Sequence, residues 1–69
     1  MSNNTSQFVK RFGKREKGAP YVEMRHNPYK NEWWLYSSER DYPVFAEDKT
    51  AANYIFSYIH NDIKRKYGV

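Results

Sequence analysis

Residues 21–38 read YVEMRHNPYKNEWWLYSS, and this stretch decides the fold. Tyr21–His26 alternates in the manner of a strand. Val22 and Met24 fall on one face, and Tyr21, Glu23 and Arg25 on the other. His26–Asn31 carries Asn27-Pro28 among polar neighbours, which predicts a turn. Glu32–Ser38 is rich in aromatic residues that suit a pleated surface. Trp33 and Leu35 share one face there, and Trp34 and Tyr36 the other. One of the two tryptophans therefore points outward, but without the strand register the sequence does not say which.

Working towards the C-terminus, Ser38–Asp41 predicts a second turn, and Tyr42–Ala46 (YPVFA) a short third strand. Pro43 has no N–H for a ladder, so that strand starts at the proline or lies at an edge. Short connections favour an antiparallel meander. A helix follows, with Asp48 as N-cap and Lys49 as its first residue. Ala52, Ile55, Phe56, Ile59 and Ile63 form one apolar stripe along it. Lys64, Arg65 and Lys66 complement the dipole of the last turn, and Gly68 suits the position just past the end. The predicted fold is α+β, a three-stranded antiparallel sheet packed on one C-terminal helix. Its core is Val22, Met24, one of Trp33 and Trp34, Leu35, one of Val44 and Phe45, Ile55, Phe56, Ile59 and Ile63.

Towards the N-terminus the pattern changes. Residues 1–7 are polar. Residues 8–18, FVKRFGKREKG, mix apolar and basic residues, and Gly13 and Gly18 argue against a stable helix. The expectation is a flexible basic arm over 1–18, followed by a single domain over 19–69. Charge divides in the same way. The net charge of +4 is the balance of +4 in residues 1–18, −3 in 19–48 and +3 in 49–69.

The chain has 69 residues and no cysteine, which excludes disulfides and thiolate zinc sites as staples for a small core. Four Phe, two Trp and seven Tyr supply the packing area instead. Mean hydropathy is −1.08, and no apolar run approaches the ~20 residues of a membrane span. No signal-like segment follows the polar start, so the expected setting is soluble and cytoplasmic. Asn3 and Asn4 match the glycosylation pattern, which has meaning only in a secreted chain.

No motif points to catalysis. His26 and His60 lack the spacing and third ligand of a metal site. Glu39 and Asp41 flank Arg40 in a turn, where carboxylates are solvated and not tuned for acid–base work. No glycine-rich phosphate loop or nucleophile motif is present, and no small-molecule substrate or cofactor is indicated. Binding chemistry is better represented. Lys10, Arg11, Lys14, Arg15 and Lys17 form a basic cluster suited to phosphates, with Phe8 and Phe12 interleaved to stack on bases. Lys64, Arg65 and Lys66 form a second basic run. If Trp34 is the outward tryptophan, Tyr21, Arg25, Trp34 and Tyr36 form a sheet face of the residue types that dominate protein interfaces, unless the arm covers it through Phe8 and Phe12.

The order of basic arm, strands YVEMRH, EWWLY and YPVFA, and a helix from Lys49 resembles the arm-type DNA-binding domain of phage and transposon tyrosine integrases. That resemblance implies a sheet that enters the major groove. The pattern departs from it at Glu23, Glu32, Glu39, Asp41 and Glu47, since an acidic face is repelled by phosphates. No binding residue is carried over from the family. Two functions follow as expectations. One is a nucleic-acid-binding accessory or regulatory factor that uses the arm and the helix C-terminus. The other is a protein-binding regulator or inhibitor of host machinery, carried by a phage or mobile element, that engages a larger intracellular protein through the aromatic face.

Overall fold

A computed structural model describes residues 6–68. Residues 1–5, with Asn3 and Asn4, lie outside the described residues. The elements are β1 (Gln7–Gly13), β2 (Tyr21–Asn27), β3 (Glu32–Ser37), β4 (Val44–Ala46) and α1 (Lys49–Tyr67). The strands form one antiparallel sheet in the order β1-β2-β3-β4, and α1 packs on one face of it. The α+β class and the C-terminal helix agree with the sequence reading.

The sheet has four strands and not three, because residues 7–13 of the expected flexible arm form β1. The register shifts between Phe8 and Lys10, where Val9 has no partner on β2. Phe8 lies opposite Arg25, and Phe12 opposite Val22. Four residues apart, both would lie on one face of a regular strand. The extra residue reverses the alternation, so Phe12 joins the helix side and Phe8 the open side. Gly13 ends β1 at φ +85°, and a Cβ there would come within 2.3 Å of the Pro20 carbonyl oxygen. Only glycine permits both the dihedral and the close approach.

The core lies between sheet and helix. Val22, Met24, Leu35, Ala46, Ala52, Phe56, Ile59 and Ile63 are buried, with Phe12, Trp33, Val44, Ala51 and Ile55 packed around them. Trp33 is thus the inward tryptophan, and Val44, not Phe45, faces the helix. Trp33 stacks on His26 at 3.9 Å between ring centroids. β4 begins after Pro43 and forms an edge. The Asp48 carboxylate accepts a hydrogen bond from the Ala51 N–H at 2.8 Å, and Gly68 closes the helix at φ +71° with its N–H on the Lys64 carbonyl. No helix among the described residues is long and apolar enough to cross a membrane.

Candidate nucleic-acid interface

The face of the sheet opposite α1 is built by the outward residues of all four strands. The register places Phe8 beside Arg25, Arg25 beside Trp34, and Trp34 beside Phe45. This row crosses the whole sheet, about 14 Å at the usual strand spacing. A second row runs from Arg11 through Glu23 to Tyr36. Phe8 and Phe45 end the first row, 52% and 47% exposed. Trp34 packs edge-on against Phe45 at 5.3 Å, and its Nε1–H donates to Glu32 at 3.3 Å.

Glu23 lies on this face, opposite α1, yet is 1% exposed. Three guanidiniums close over it. Its carboxylate accepts from Arg25 at 2.9 Å, from Arg15 at 3.1 Å and from Arg11 at 3.2 Å. Burial pushes its pKa up, but the hydrogen bonds from Arg25 and Arg11 and the charges of Arg15 and Arg25 outweigh this and hold it below the ordinary value. The arginines in turn lie against rings. Arg15 sits 4.8 Å from the Tyr36 ring and 5.7 Å from Tyr21, and Arg11 sits 5.4 Å from Phe8. Arg25 also donates to the Ser6 hydroxyl at 3.0 Å. One carboxylate thus fixes three cations in place and neutralises one of their charges.

The two candidate surfaces read from the sequence meet here. Arg11 and Arg15, from the basic cluster, share one face with Tyr21, Arg25, Trp34 and Tyr36. Lys14 and Lys17 lie exposed in the loop joining β1 to β2, without an ion pair among the described residues. Lys10 is turned to the other side, 4.6 Å over the Phe56 ring. Among the described residues the arm joins the aromatic face: β1 widens it, adding Phe8 while Phe12 goes to the core, and Arg15 lies over Tyr36.

The helix C-terminus lies apart from these rows. Arg65 pairs with Asp62, and Arg40 reaches the same carboxylate at 3.7 Å. Lys66 pairs with Glu39 at 3.1 Å, and the Tyr67 hydroxyl donates to Glu39 at 3.0 Å. These contacts tie the β3–β4 loop to the end of α1. Lys64 is exposed without an ion pair among the described residues.

His60 is half-buried. Its ring lies 4.0 Å from Phe12 and 6.1 Å from Phe56, and its Nε2 is buried without a hydrogen-bond partner among the described residues. Burial, then the charges of Lys64 and Lys10, lower its pKa. Among the described residues no group of three or more His, Asp or Glu is placed to hold a metal.

Sequence reasoning misses two features of the open face, the place of Phe45 and the burial of Glu23. The sequence leaves Phe45 and Val44 as alternatives for the core, and the register decides between them. The burial of Glu23 has no local signal, since its cover comes from Arg11 and Arg15 on another strand and loop. No protein-family model, curated protein or solved structure matches the chain.

Proposed function

We propose that the chain is a non-catalytic nucleic-acid-binding protein that holds a single strand across the open face of its sheet. The cross-strand row Phe8–Arg25–Trp34–Phe45 is the observation that carries this reading. Rings set at strand spacing offer surfaces on which successive unpaired bases stack, and every base has such a face. Arg11, Arg15 and Arg25 supply positive charge between the rings, and Lys14 and Lys17 extend it along one edge. A flat aromatic sheet fits unpaired bases better than a duplex, whose bases are already stacked. The reading moves the binding surface from the ends of the chain to the sheet. It keeps Arg11, Arg15, Lys14 and Lys17 from the basic cluster and gives Lys64, Arg65 and Lys66 at the helix end no part in holding the strand.

Fluorescence anisotropy with a labelled single-stranded oligonucleotide tests it. Expected are binding that weakens steeply with added salt and a loss of about tenfold or more in Trp34→Ala, with the fold kept by circular dichroism. Equal affinity of the wild type and Trp34→Ala would remove the reading.

One observation favours a second reading. Glu23 and Glu32 lie among the cations of the face and lower its charge. Trp, Tyr and Arg around a partly neutral centre are also the composition of protein hot spots. On that reading the face engages a larger protein as a regulator or inhibitor. Capture of one protein by tagged wild type after nuclease treatment, lost in Trp34→Ala, would favour it over the first.

A further inference from the structure

We propose that a pocket at one end of the open face takes a single unpaired guanine, read by the carboxylate of Asp41. The inference rests on the nucleic-acid reading above and adds a base preference to it. The pocket has a volume of about 280 Å³ and lies where Tyr21 begins β2 and Tyr36 nears the end of β3. Arg15, Tyr21, Tyr36, Arg40, Asp41 and Tyr42 line it. That volume sits near the lower limit of small-ligand sites, about 300 Å³, which suits one base and not an extended ligand.

The lining favours a base over a phosphate. Both arginines already hold carboxylates, Arg15 on Glu23 at 3.1 Å and Arg40 near Asp62 at 3.7 Å. Asp41 itself repels an anion. Three tyrosines give the pocket an aromatic lining, and the Arg15 guanidinium lies 4.8 Å from the centre of the Tyr36 ring.

Asp41 supplies the choice among bases. It is exposed and makes no hydrogen bond or ion pair among the described residues, so both of its oxygens are open to accept. Guanine presents two adjacent donors on its Watson–Crick edge, N1–H and the N2 amino group, spaced to meet the two oxygens of one carboxylate. Adenine and cytosine present one amino donor beside an acceptor. Thymine and uracil flank their one N–H with carbonyls, which a carboxylate repels. In a single strand these edges are unpaired and open to such contacts.

The test uses the full chain and three labelled probes: an oligothymidylate, the same oligomer with one central guanine, and the same with inosine at that place. Inosine lacks only the N2 amino group. The contact is to the base edge, so the uridylate series is measured alongside. The guanine probe is expected to bind about tenfold tighter than the other two, the scale of one good bidentate base contact. Asp41→Asn, a surface change with no packing to disturb, is expected to abolish that preference without weakening the thymidylate probe. Binding of all three probes with equal affinity overturns the pocket and leaves the stacking face standing. A guanine preference that survives in Asp41→Asn overturns the role of Asp41. Failure of every probe to bind overturns the stacking face and the pocket with it.

Discussion

The Glu23 carboxylate accepts a hydrogen bond from Arg25 at 2.9 Å, two residues along the same strand, on a face that no helix covers. Two residues apart on a strand, the pair points to one side. Arg11 and Arg15 complete the cover from β1 and the loop after it. Removing the negative charge leaves three cations crowded around a neutral side chain. Glu23→Gln is therefore expected to destabilise the fold by about 2 kcal/mol, below the usual range because the arginines keep contact with water. The sign with pH follows from linkage. The folded pKa lies below the ordinary 4.5, so the contribution is complete above 4.5 and is lost as pH falls through the folded value. Urea titrations of wild type and Glu23→Gln are expected to differ at neutral pH and to converge in acid. Curves that stay equally separated down to the lowest pH would rule this out.

What could be read from the sequence follows a physical divide. The alternation in Tyr21–His26 and Glu32–Tyr36 sorts the side chains of each strand into two sets, because each strand is paired on both sides and obeys the period of two; only the register shows that the Trp33 set of β3 meets the helix. The helix was equally plain, since its stripe, cap and terminal glycine all agree. β1 was hidden because Val9 interrupts its period, and because Gly13 and Gly18 look like flexibility. The value of Gly13 is instead a close approach to Pro20, which is a tertiary property. The site was half legible for a similar reason. Arg11 and Arg15 look like part of a separate arm because only the fold lays them beside Glu23, twelve and eight residues away. Once paired, a supposedly acidic sheet face becomes one whose buried carboxylate is already neutralised.

The glycines at the end of β1 and in the loop after it give a controlled contrast. Gly13 and Gly18 share a φ of +85°, but only at Gly13 would a Cβ meet backbone. Gly18→Ala is expected to cost about 1 kcal/mol, the cost of a positive φ alone. Gly13→Ala adds a clash with the Pro20 carbonyl and is expected to cost about 3 kcal/mol, or to release β1 from the sheet. Amide hydrogen exchange separates the two results. Loss of protection in Gln7–Gly13 with β2 and β3 still protected marks the release of β1. Equal effects of the two substitutions would show that the contact at Gly13 does not matter.

His60 makes stability depend on pH in a second window. Its folded pKa lies below the ordinary 6.5 because its half-buried ring packs against Phe12 and loses water there, with Lys64 and Lys10 adding positive charge. The unfolded chain therefore binds the proton more readily, and stability falls as pH drops below 6.5 until the folded pKa is passed. His60→Phe keeps a ring between Phe12 and Phe56 and removes the buried Nε2, which has no partner among the described residues. The variant is expected to gain about 1 kcal/mol at neutral pH. Its melting temperature is expected to stay level as pH drops below 6.5, where that of the wild type falls. Parallel slopes in the two proteins would mean that His60 does not titrate in this window.

The placement of the lysines makes the last prediction, which separates the sheet face from the helix end as the source of affinity. Lys14 and Lys17 lie in the loop that also carries Arg15, whereas Lys64 lies on α1, which packs on the opposite side of the sheet. Each lysine that touches a phosphate releases about one counterion, so its removal lowers the slope of log K against log salt by roughly 0.7 on a single strand. Lys14→Gln with Lys17→Gln is expected to lower the slope by about 1.4, twice that single-site value, and Lys64→Gln to leave it unchanged. All three side chains are exposed, and none makes an ion pair among the described residues, so the fold is not at risk. The reverse result, a slope that depends on Lys64 and not on the loop lysines, would move the phosphate path to the helix end and away from the rings.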